Sequence, residues 1–208
     1  SRGTITQDND AGTWSWSLPT ADGPDDSGTI TITATDSDNA VATTTFELTV
    51  NNALPTIASS LATVTVTEGA TATNSGTFGD VGDDTVTITA SPGIATQDNA
   101  VGTWSWSLPT TDGPDGPQTV TITATDSDGA VTTTTFTLTV DNAPPTIAAN
   151  QGSVTVTEGT TATNTGTFGD VGDDTVTITA SPGVATQDNA AGTWSWSLPT
   201  TDGPDGPQ

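Results

Sequence analysis

The stretch GTWSWSLPT, Gly102 to Thr110, also occurs at Gly12–Thr20 and Gly192–Thr200, at a spacing of 90 residues. All six tryptophans of the chain fall in these copies. Large and small side chains alternate, with Trp104, Trp106 and Leu108 on one parity and Thr103, Ser105 and Ser107 on the other. A strand sends successive side chains to opposite faces, so the pattern predicts one apolar face and one hydroxyl face. A tryptophan buries roughly 150–250 Å², so two on one face can anchor the core of a small β-domain. Exposed indoles stacking on sugar rings are the rival use, but no other stretch offers a comparable core centre. The core reading wins.

Working outward, the tryptophan motif sets the repeat. Asn51–Val140 is one whole unit, Asp141–Gln208 matches its first part, and Ser1–Val50 matches its last part. The expected domains are therefore 1–50, the C-terminal part of a repeat; 51–140, a complete repeat; and 141–208, the N-terminal part of another. Within 51–140, runs rich in Val, Ile and Thr are punctuated by Gly, Pro and Asp. They predict strands at 55–68 (with a break near 59–62), 71–78, 84–90, 94–96, 102–110, 118–126 and 130–140. Val86, Ile88, Val120, Ile122, Ala124, Phe136, Leu138 and Val140 point inward. No segment shows the 3.6-residue apolar period of a helix. Seven short strands in such a unit predict an all-β chain of tandem immunoglobulin-like β-sandwich domains. A part-repeat leaves its hydrophobic face open, so further copies of the repeat are the expected partners, in cis along a longer chain or head to tail in a filament.

Composition narrows the chemistry. The chain has 25 acidic residues, one basic residue (Arg2), and no His, Cys, Met or Tyr. Ser-His-Asp and Cys-His nucleophiles, thiolate or imidazole metal sites and disulfides are excluded. A carboxylate-dyad glycosidase would lack basic groups to hold its substrate, so the chain reads as non-enzymatic. A net charge of −24 repels nucleic acid and anionic membranes. No apolar run reaches the ~20 residues of a membrane span, so no membrane insertion is expected in this stretch. One arginine cannot balance so many carboxylates; cations must do so, as bound divalent ions or as a salty medium.

Thr119–Ile147, TVTITATDSDGAVTTTTFTLTVDNAPPTI, resembles the junction between successive repeats in bacterial immunoglobulin-like, PKD-like and cadherin-like surface arrays. GTWSWSLP is similar to a strand of the same large adhesins, and DNAPP at Asp141–Pro145 is similar to the cadherin linker. The resemblance implies extracellular tandem domains in a cell-surface adhesin or filament, often stiffened by calcium.

Strand alternation also sorts the acidic loops. Asp80, Asp83 and Asp84 (in GDVGDD), with Asp126 and Asp128 (in DSDG), fall at one end of the unit. Glu68, Asp112 and Asp115 fall at the other. Stacking repeat on repeat brings Glu68, Asp112 and Asp115 towards Asp170, Asp173 and Asp174, with Asp141 between them. Oxygen ligands converging from several loops suit calcium, which takes 6–8 oxygens at about 2.3–2.6 Å. Asp-Gly sequences are also ordinary turn formers, and acidic loops keep a β-surface soluble. Both uses stand at this point. The function expected is the structural shaft of an extracellular adhesin or filament; the alternative is a glycan-binding module. Threonine alternation of the ice-binding kind needs a long flat array, which a twisted sandwich lacks.

Overall fold

In the computed structural model, residues 2–172 and 174–201 are described. Among them are sixteen strands and no helix, and hence no helix long and apolar enough to cross a membrane. The chain divides into two compact units: the described residues of Ser1–Ala62, Thr73–Ser107 and Thr119–Thr137, and those of Thr63–Ala72, Leu108–Gln118 and Leu138–Gln208.

In chain order, β1 (Thr4–Asp8) and β2 (Thr13–Ser17) form one hairpin, and β3 (Gly28–Thr35) and β4 (Val41–Leu48) another. Next come β5 (Thr56–Ser59), β6 (Thr63–Thr67), β7 (Thr71–Gly79), β8 (Thr87–Ser91), β9 (Ile94–Asp98), β10 (Thr103–Pro109), β11 (Asp115–Thr125) and β12 (Val131–Asp141). They make two four-stranded sheets, β5-β7-β10-β9 and β6-β12-β11-β8. The break predicted near 59–62 is where the first strand leaves one sheet for the other. Finally β13 (Thr146–Ala149), β14 (Thr161–Gly169), β15 (Val184–Asp188) and β16 (Thr193–Pro199) form a sheet in the order β13-β14-β16-β15. The architecture is all-β, tandem and immunoglobulin-like.

The repeat is visible in the register. Trp16 opposes Ile5, Trp106 opposes Ala95 and Trp196 opposes Ala185, so each tryptophan strand meets its neighbour at the same positions. Trp104 and Trp106 are 2% and 1% exposed. Their indole N–H groups donate to the carbonyls of Ala58 (3.1 Å) and Pro92 (2.8 Å), so burial leaves no orphan donor. Trp106 meets Phe136 edge to face, with ring centroids 4.9 Å apart. Val120, Ile122 and Ala124 on β11 are fully buried, as the alternation predicts. Gly76 lies under the Trp104 ring: a Cβ there would stand 1.9 Å from the Ala58 carbonyl oxygen and 2.5 Å from the indole. Only glycine lets β5, β7 and the indole approach so closely.

The same motif is less covered elsewhere. Trp14 is 49% exposed, and Trp16, Trp194 and Trp196 are half-buried. Trp104→Ala is therefore expected to cost roughly 3–5 kcal/mol by urea denaturation, against at most about 1 kcal/mol for Trp14→Ala. Equal losses for the two variants would contradict this account of the core.

Candidate metal centre

Two groups of three carboxylates form among the described residues. Within each, one oxygen per residue lies within 4.8 Å of the others. Asp22, Asp84 and Asp128 make the first, and Glu68, Asp112 and Asp174 the second. Asp22 and Asp112 stand 90 residues apart, as do Asp84 and Asp174, so the two groups share two positions of the repeat and differ in the third, Asp128 in one and Glu68 in the other.

Local sequence explains how the loops are held. In GDVGDD the inner glycine has positive φ, +95° at Gly82 and +92° at Gly172. A Cβ on Gly82 would lie 1.8 Å from the Ala21 carbonyl oxygen, and one on Gly172 would lie 2.3 Å from that of Thr111. Glycine thus lets the loop that carries Asp84 or Asp174 press against the backbone just before Asp22 or Asp112. The Asp83 N–H completes the first of these contacts, donating to the Ala21 carbonyl at 2.9 Å.

In the first group, the Ser127 hydroxyl donates to Asp84 at 2.7 Å. Partial desolvation, then the Asp84 carboxylate, pushes both Asp22 and Asp128 above the usual aspartate pKa. In the second group, Glu68 directly follows β6 and is buried, while Asp112 and Asp174 are exposed. The Ala143 N–H donates to Glu68 Oε1 at 2.8 Å, and the Glu68 N–H donates to the Asp141 carbonyl at 3.0 Å. Partial desolvation by the surrounding loops, then the charges of Glu68, Asp112 and Asp170, raises the pKa of Asp174.

Of the residues predicted as ligands, Glu68, Asp84, Asp112, Asp128 and Asp174 enter the two groups. Asp80, Asp83, Asp115, Asp126, Asp141 and Asp170 lie outside them, and Asp173 falls outside the described residues. Three of these carboxylates have partners of their own, Asp80 accepting from the Val81 N–H at 2.7 Å. Asp170 accepts from the Val171 N–H, and Asp126 accepts from Asn52 Nδ2 (2.8 Å) and the Ala130 N–H (2.7 Å). Burial raises Asp126, but the bonds from Asn52 and the backbone outweigh it and hold its pKa below the usual value. Asp22 is the residue that sequence reasoning missed, although its offset of 90 from Asp112 was there to be used. Arg2 pairs with Asp26, outside both groups.

The tryptophan strand β10 does not present a sugar-stacking face. A depression of about 450 Å³ lies over it, lined by Thr96, Ser105, Ser107 and Asn74, but the Trp106 beneath is buried.

No family model matches the chain, and no curated protein matches it. Among solved structures, the chain is similar to the titin domains Z1Z2 in complex with telethonin: 17% identity, TM-score 0.40, covering 74% of this chain and 85% of that one. It is also similar to the BIgI domain of the beta protein from S. agalactiae bound to CEACAM1, at 21% identity and TM-score 0.33, covering 43% and 99%. Domains 4 and 5 of the S-layer protein SbsC match at 17% identity and TM-score 0.28, covering 62% and 82%. Such distant likenesses carry no functional argument.

Two outcomes follow from this geometry. In chelator, the raised pKa values of Asp22, Asp128 and Asp174 mean a contribution present below the ordinary aspartate pKa and lost as pH rises through the raised value. Asp126 acts oppositely, its contribution being lost as pH falls through its lowered value. A pH series of thermal melts in chelator should show Asp174→Asn reducing the loss of stability on the rising side, and Asp126→Asn reducing the loss on acidification. Gly172→Ala should lower stability by at least about 1 kcal/mol, from positive φ alone. Gly152→Ala, where a Cβ meets nothing within 4 Å, should not.

Proposed function

We propose that this chain is a load-bearing segment of an extracellular adhesin or filament, built of tandem immunoglobulin-like repeats and stiffened by calcium at its acidic loops. The observation that carries the reading is the recurrence of a carboxylate pair at the same two repeat positions, Asp22 with Asp84 and Asp112 with Asp174, each joined by a third carboxylate from elsewhere in the repeat. Like charges so close repel one another, and the one arginine is engaged elsewhere. Hard oxygen ligands from separate loops favour calcium, whose variable coordination tolerates loop-borne carboxylates. Near-identical repeats suit a shaft, where each copy does the same mechanical work. Further copies of the repeat are its natural partners, in cis or head to tail.

Calcium at 100 times its dissociation constant stabilises a one-site protein by about 2.7 kcal/mol. Thermal melts at fixed ionic strength should therefore shift upward in calcium relative to chelator, and digestion by a protease of broad specificity should slow. Identical melts with and without calcium would remove the cation from the reading.

A further inference from the structure

We propose that Glu68 anchors a calcium ion together with Asp112 and Asp174, and that filling this position fixes the backbone of residues 141–143. The inference rests on the calcium reading above and identifies which group binds first. Glu68 is only 4% exposed. Its Oε1 is held by the Ala143 N–H and its own N–H is held by the Asp141 carbonyl, while Oε2 is buried with no N–H or hydroxyl donating to it; the nearby Asp174 carboxyl can share a hydrogen bond with Glu68 only when protonated. A buried carboxylate oxygen with no donor is costly and is seldom left so.

The direction of that oxygen is defined by its surroundings. A Cβ on Gly172 would stand 3.4 Å from Oε2, so Oε2 faces the loop that carries Asp174. The three carboxylate oxygens lie within 4.8 Å of one another. Oxygens on opposite sides of a calcium ion are about 5 Å apart, so one ion can reach all three. Bound there, it would tie the turn after β6 to the loops bearing Asp112 and Asp174. Because Oε1 of the same carboxylate receives the Ala143 N–H, ordering Glu68 also orders 141–143.

The first group differs in rigidity. None of Asp22, Asp84 and Asp128 is fully buried, and Asp84 already accepts from Ser127. Calcium affinity rises with ligand charge and with site rigidity, so the Glu68 group is the tighter of the two.

Calorimetric titration of the full chain with calcium should resolve a tighter and a weaker class. Glu68→Gln keeps an acceptor for the Ala143 N–H, and it should weaken the tighter class by about tenfold or more. Asp112→Asn should do likewise, whereas Asp128→Asn should affect only the weaker class. In native hydrogen exchange, calcium should slow the Ala143 amide in the parent chain but not in Glu68→Gln. Retention of the tighter class by both Glu68→Gln and Asp112→Asn, or an Ala143 amide indifferent to calcium in the parent chain, overturns the role of Glu68 and leaves the calcium reading intact. A parent chain that binds no calcium overturns both.

Discussion

The structure depends on the close contact of the tryptophan strand with what surrounds it. Trp104 lies on Gly76, where any side chain would force β7 away from the indole. Trp106 meets Phe136 edge to face, the arrangement favoured by the charge distribution of aromatic rings. Both indole N–H groups find backbone carbonyls, so the bulk of two tryptophans is gained without an unpaired polar atom. The remaining core residues on β11 and β12 are small or branched aliphatics in alternation, which pack well on a pleated surface once the large rings set the spacing.

Excess negative charge is the second constraint, and glycine connects it to the fold. The GDVGDD loop needs positive φ at its inner glycine, and that conformation seats the loop against a carbonyl just before Asp22 or Asp112. The residues that make the turn therefore also set the distance between carboxylates. Partial loss of solvent, reinforced by their mutual repulsion, is what raises Asp22, Asp128 and Asp174. Carboxylates that have donors, such as Asp126 with Asn52, shift the other way.

Much of this was legible in the sequence. Period-two alternation located every strand of the 51–140 repeat, and the polar interruption near 59–62 marked the change of sheet. The alternating direction of the strands sorted the loops that carry Glu68, Asp84, Asp112, Asp128 and Asp174 to the two ends of the repeat, but did not point to the loop of Asp22. Which carboxylates within those loops converge did not follow, because a loop side chain's direction depends on a few dihedral angles and on whatever donors lie nearby. Asp170 turns back to the Val171 amide and Asp126 to Ala130, while Asp174 and Asp128 join groups. Asp22 was legible only by applying the repeat to the loop before β3.

The sequence by itself determined the period, the apolar face of each strand, the positions of turns and a charge that basic side chains cannot balance. Tertiary structure decided which strand-forming segments become strands. VTVTEG occurs at 64–69 and again at 154–159, yet it contributes to a strand only in the first case, where β6 lies beside β12. DTVTITAS at 84–91 supplies β8 beside β11, while the identical 174–181 forms no strand. A strand's hydrogen bonds are made to a neighbour distant in sequence, so propensity alone cannot complete it. The same reason separates Trp104 from Trp14: one motif, buried where β10 lies between β7 and β9 in a four-stranded sheet and half exposed where β2 pairs with β1 alone.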